Sequence, residues 1–182
     1  MIVYEDIVSG DQVLSDSYAQ KPLQIPVQGV ATAIPNVFAV QSRMVTKGPL
    51  EVNTGSNASK EETEEGVDDA AARVCDLKDP ELGFGYEGPQ SYSMGEFEVL
   101  FKGWCKAVKE KIEASGQKPM EFMQAARAMY PAIKENYSNM EVYHPKSYSS
   151  ETFILGFWDD EANEVGAPKF IFFTPALKRI KY

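Results

Sequence analysis

The sequence predicts an α+β domain with a mainly antiparallel sheet, because strand-like runs lie at both ends of the chain and one stretch of clear helical periodicity lies between them. No internal repeat interrupts that order. The chain is therefore read as strands, then a helical hairpin, then strands again, in a single domain over residues 1–182.

Residues 1–8 alternate as a strand does, with Ile2, Tyr4, Asp6 and Val8 on one side and Val3, Glu5 and Ile7 on the other. Gly10-Asp11 then turns the chain. Residues 19–36 contain Pro22, Pro26 and Pro35 but only one charge, Lys21. Apolar residues flank Gln28-Gly29, which predicts a short hairpin whose first strand Pro26 confines to a sheet edge. Residues 37–46 read as a further strand. The stretch GSNASKEETEEG has no apolar periodicity, which predicts a flexible acidic loop over residues 53–66.

Helical periodicity begins at Ser93, which with Glu96 forms a capping box, and continues through Phe97, Leu100, Phe101, Trp104, Cys105, Val108 and Ile112. Gly116 marks the stop. A second helix is expected from near Pro119, with Phe122, Met123, Ala126, Met129, Tyr130, Ile133 and Tyr137 on one face. The short link makes residues 93–138 an antiparallel helical hairpin, and Pro131 predicts a kink or early break in its second arm. Strand-like runs follow at 140–144, 152–158 and 169–174.

The composition narrows the function. With 43% hydrophobic and 25% charged residues, the chain has the apolar surface for a core. A net charge of −9 opposes general attraction to nucleic acid or anionic lipid. Glu61, Glu62, Glu64, Glu65, Asp68 and Asp69 stand against Lys60 alone, so this short stretch carries much of the imbalance. The acidic start at Glu5 and Asp6 predicts no export signal, and no apolar run reaches the ~20 residues of a membrane span. Cys75 and Cys105 read as buried thiols of a reducing compartment.

Catalytic patterns are missing from the sequence. A single histidine, His144, forms no histidine metal cluster, and the two cysteines lack C-x-x-C spacing. His144 precedes Pro145 at a strand end and reads as a surface or turn residue rather than a base. No phosphate-binding loop is present, so no organic cofactor is expected. Lys102, Lys106 and Lys109 fall on one stripe of the first helix, where an acidic partner could dock; the alternative is an ordinary solvated face. The acidic loop offers oxygen ligands suited to Ca²⁺, but nothing arranges them into a defined calcium loop, so weak binding is expected.

Several strings resemble the translationally controlled tumour protein family. MIVYEDIVSGDQVLSDSY is similar to its N-terminal strand and turn, and GSNAS followed by acids to its first signature and flexible loop. FKGWCKAVKEKI and PMEFMQAARAMYPAIKENY resemble its helical hairpin, and APKFIFFTPAL its closing strand. The resemblance implies a sheet core of β-tent or sandwich-like form, similar to a Rab-binding zinc-containing chaperone-like fold but without the zinc cysteines. It also implies a cytoplasmic, monomeric, non-enzymatic protein of growth and anti-apoptotic regulation that binds Ca²⁺ and tubulin. Matched by position, the calcium residues are Asn57 and Glu141, the latter usually glutamine, and the tubulin contact falls on Lys102, Lys106 and Lys109.

Departures from the family pattern are specific. Residues 19–36 look like an insertion, and Gln12 stands where the family usually has a glutamate implicated in binding a Ras-type small GTPase. Pro145-Lys146 replaces Gly-Glu in the second signature, and Tyr182 replaces a terminal cysteine used for dimerisation in some members. The leading expectation is a Ca²⁺- and tubulin-binding regulator, the alternative a nucleotide-exchange or dissociation regulator of a Ras- or Rab-type GTPase, and the third a chaperone-like role.

Overall fold

The structure, a computed structural model, describes residues 1–47 and 72–182. The acidic run and Asn57 lie outside the described residues. Among those residues the sheets are antiparallel, and the largest has six strands. Its order is β3 (Lys21–Val27), β4 (Val30–Gln41), β10 (Lys169–Phe173), β9 (Ile154–Phe157), β8 (Met140–His144) and β7 (Glu87–Gln90). A second sheet sets β1 (Ile2–Asp6) between β11 (Leu177–Lys181) and β2 (Gln12–Ser15), and β5 (Met44–Thr46) pairs with β6 (Arg73–Cys75).

The large sheet is buried on both faces, and side-chain alternation sorts its residues between two cores. Val37, Ala39, Val142, Leu155, Ile171 and Phe173 face one core with the helical hairpin. Phe38, Val40, Tyr143, Ile154, Phe170 and Phe172 face the other, which Val13 and Leu14 of β2 complete. This explains why KFIFF reads as an unbroken apolar run, since a strand covered on both sides needs no polar face.

Helix α1 (Met94–Ala114) starts at the expected capping box: the Glu96 amide donates to Ser93 Oγ at 3.1 Å and the Ser93 amide to Glu96 Oε1 at 2.8 Å. It ends at Gly116 in the left-handed region, φ 85°, where the Gly116 amide donates to the Glu113 carbonyl and the Gln117 amide to that of Ile112. Phe97, Phe101, Trp104, Val108 and Ile112 make its buried stripe. Trp104 packs edge-on against Phe122 and Phe173, with centroids at 5.2 and 4.9 Å.

Helix α2 (Met120–Asn136) runs through Pro131 without the early break that is one of the two expectations there. Pro131 and Arg127 both lie on the exposed side, where water can reach the carbonyl deprived of its donor, while Met129, Ala132 and Ile133 are buried on the other side. Its last turn grips the β3–β4 hairpin. Glu135 accepts the Gln28 and Gly29 amides at 2.7 and 3.3 Å, and the Asn136 amide group donates to the Pro26 carbonyl at 2.8 Å. Positive φ at both Gln28 and Gly29 gives the tight turn that matches strand twist. Residues 19–36 thus form β3 and the start of β4, with Leu23, Ile25 and Ile34 buried and Pro22 and Pro26 on the outer edge.

Other differences have local causes. The strand expected over 37–46 is broken after Gln41, because Ser42 donates its amide and hydroxyl to the Pro168 carbonyl and the Arg43 amide donates to Asp76. The chain then joins a different sheet as β5. A short helix α3 (Asp160–Val165) replaces the expected link, capped by Asp159 and stopped by Gly166. Lys169 ties it down, bonding Asp159 at 2.7 Å and Glu161 at 2.6 Å. His144 is 1% exposed rather than a surface residue, stacked under Tyr148.

Candidate functional site: a basic helix face and a carboxylate cleft

The inner stripe of α1 fixes what its outer side presents. With Phe101, Trp104 and Val108 turned into the core, Lys102, Lys106 and Lys109 are all exposed, next to Val99 at 73% exposure. Lys102 is partly committed: its ammonium lies 3.1 Å from Glu98 Oε1, while Glu98 Oε2 accepts the Tyr130 hydroxyl at 2.6 Å. The Tyr130 hydroxyl, and then Lys102, hold the Glu98 carboxyl below its usual range. Lys106 and Lys109 have no ion pair among the described residues. This face can attract an extended acidic segment, though each exposed contact is worth little alone.

Glu141 lies on the other side of the large sheet, at the rim of a cleft of about 620 Å³. Its Oε1 accepts the Tyr143 hydroxyl and the Trp158 indole N–H, each at 2.9 Å. Those two donors fix the carboxylate. Burial, and then the bond to Glu141, hold the Tyr143 phenol well above its ordinary range. Lys78 Nζ sits 5.3 Å from the centre of the Tyr143 ring, and Lys146 also lines the cleft. Among the described residues no group of three or more acidic, histidine or cysteine side chains could hold a metal. Within that set Glu141 offers a single carboxylate and no cage of oxygen donors surrounds it.

Gln12 opens β2 and is exposed, and its side-chain amide donates to the Tyr182 hydroxyl at 3.1 Å. It lines a smaller cleft of about 280 Å³ with Asp11, Pro80, Phe84 and Lys146. Pro80 and Lys146 line both clefts, so the fold brings Gln12 and Glu141 to neighbouring sites and leaves the lysine stripe on the opposite face of the large sheet. Sequence reasoning missed Trp158, Lys78 and the bridging position of Lys146. Only the replacement of Gly-Glu by Pro145-Lys146 signalled any of them.

No thiol–imidazole pair forms. His144 Nδ1 donates to the Ser149 and Thr152 carbonyls at 3.0 and 2.8 Å, which leaves Nε2 to accept the Tyr92 hydroxyl at 2.8 Å. Both ring nitrogens are committed to structure. Burial pushes the Cys105 thiol up to about 12, where a thiolate nucleophile is not available. No described helix is long and apolar enough to cross a membrane.

Comparison with known proteins agrees across the chain. The sequence model of the family described as "Translationally controlled tumour protein" matches residues 1–178. A translationally-controlled tumor protein homolog from Gibberella zeae is 27% identical over 187 residues, covering 100% of this chain and 99% of that protein. The solved structure of the translationally controlled tumor-associated protein p23fyp from Schizosaccharomyces pombe superposes with a TM-score of 0.71 at 25% identity, covering 100% of both chains. The chain belongs to the translationally controlled tumour protein family, whose members are in general growth-related regulatory proteins rather than catalysts.

Proposed function

We propose that this protein is a non-enzymatic cytoplasmic regulator that docks acidic partners, tubulin among them, on the outer face of α1, and binds Ca²⁺ weakly through Glu141. The observation that supports the docking reading is the joint exposure of Lys102, Lys106 and Lys109 beside Val99 in a chain of net charge −9. Elsewhere such a chain repels the acidic tubulin surface, so a local basic face sets the orientation of encounter. For Ca²⁺, the supporting observation is a carboxylate already oriented by Tyr143 and Trp158, to which Asn57 is assigned as a second ligand by family resemblance.

Microtubule co-sedimentation tests the docking. Lys102→Glu combined with Lys106→Glu should reduce the bound fraction several-fold at low salt, the expected response of opposed charges at an exposed contact. A pellet equal to that of the parent protein overturns it.

A second reading, regulation of a Ras- or Rab-type GTPase, is favoured by the exposure of Gln12 beside a cleft. Nucleotide release from such GTPases at micromolar protein is its test, and no acceleration rejects it.

A further inference from the structure

The edges of the sheets are not equivalent. On the six-stranded sheet, β3 carries Pro22 and Pro26, and β7 carries Pro89 and a break in register. Prolines on an edge withhold donors and discourage a further strand. On the three-stranded sheet, β2 has Val13, Leu14 and Ser15 buried, and the Tyr86 hydroxyl takes the Val13 carbonyl. β11 has no proline, and Lys178, Arg179 and Lys181 are exposed along it.

The ladder with β1 shows which β11 groups point outward. The Tyr182 amide donates to the Met1 carbonyl at 2.7 Å, the Met1 amino group to the Tyr182 carbonyl at 3.2 Å, and the Ile7 amide to the Ala176 carbonyl at 3.1 Å. In an antiparallel pair the bonded positions alternate, so with Ile2 opposite Lys181 and Tyr4 opposite Arg179 the backbones of Arg179 and Lys181 turn away from β1. Among the described residues neither has another backbone partner.

Charge selects the occupant. Leu177–Tyr182 contains three cations and no acid, and none of the three forms a salt bridge among the described residues. Basic side chains on an edge repel a second copy of the same edge. They attract an acidic strand. Arg179 and Lys181 lie on one face of the strand and Lys178 on the other, so acidic residues on either face of an added strand find a counter-charge.

We propose that the outer edge of β11 takes up an acidic peptide in extended conformation as an added strand, bonded to the backbones of Arg179 and Lys181 and held by the cations around them. The site is separate from the α1 lysines and does not depend on the tubulin reading.

The probe is a blocked peptide of about ten residues alternating Glu and Thr, titrated into the isotope-labelled full chain. The Arg179 and Lys181 amides should shift and gain protection from hydrogen exchange. Arg179→Gln with Lys181→Gln should weaken binding about tenfold, as should the same peptide with Gln in place of Glu. A peptide N-methylated at alternate residues keeps its charge but cannot complete the ladder, and its binding should be lost. Equal binding of the methylated peptide would mean adhesion by charge alone and would overturn the proposal. So would binding abolished by Lys102→Glu with Lys106→Glu but untouched by the β11 substitutions.

Discussion

Gln12 and Tyr182, 170 positions apart, share a hydrogen bond of 3.1 Å from the glutamine amide to the tyrosine hydroxyl. The resemblance to the family implies a different residue at each of the two, and their contact joins β2 to the residue that follows β11 across the three-stranded sheet. A glutamate at position 12 could keep the contact, because the tyrosine hydroxyl can donate to a carboxylate.

Gln12→Glu is therefore expected to leave the thermal midpoint within a few degrees of the parent, while adding the negative charge that the proposed GTPase reading calls for at this position. If the GTPase reading holds, nucleotide release should rise several-fold, by the steering effect of an added complementary charge. Stopped-flow release of a fluorescent nucleotide measures it, with unchanged rates as the contrary result.

Glu141 should respond to Ca²⁺ at millimolar concentrations, consistent with a single oriented carboxylate. Its side-chain resonance, the Tyr143 amide and the Trp158 indole should move together. Glu141→Gln keeps an acceptor for Tyr143 and Trp158 but removes the charge, so it should abolish those shifts without unfolding the chain. Shifts that persist in the variant place the ion elsewhere.

Asp6 gives the pH dependence a sign. Burial holds its carboxyl above the ordinary 3.8, against the opposing pull of the Ser9 amide and hydroxyl and the Thr152 hydroxyl. Between 3.8 and that raised value the folded protein keeps the proton more readily than the unfolded chain, so the contribution of Asp6 to stability falls as pH rises through this window. The stability of the parent relative to Asp6→Asn should accordingly be greater near pH ~4 than near pH ~7 in urea titrations. A difference that grows with pH would reverse the assignment.

Gly83 is a backbone constraint. A Cβ there would collide with the carbonyls of Asp76 and Leu77, in a turn where the Gly83 amide donates to the Asp79 carbonyl and the Phe84 amide to that of Leu77. Gly83→Ala should cost about 3 kcal/mol, the upper range for inserting a methyl group into packed structure. Chemical denaturation measures it, and a cost near zero would show that the turn can shift.

The helical hairpin was legible because its signals are local. Ser93 with Glu96, the apolar stripe from Phe97 to Ile112 and Gly116 act within a turn or two of themselves, and each occupies its expected place. The β3–β4 hairpin was also legible, since Gln28-Gly29 and the prolines specify a turn and an edge. The early break that Pro131 allowed for does not occur, because the cost of a missing donor depends on whether the freed carbonyl can meet water. That is a property of packing rather than sequence.

By itself the sequence determined the α+β class, the two arms of the hairpin and the exposed lysines of its outer face, because side-chain period alone decides which side of a helix is buried. The tertiary structure decided the rest. It covered both faces of the large sheet, enclosed His144, oriented Glu141 with Tyr143 and Trp158, and left β11 as a basic edge. Those relationships join residues far apart in the chain, and they arise from strand order and register, which no local pattern of residues encodes.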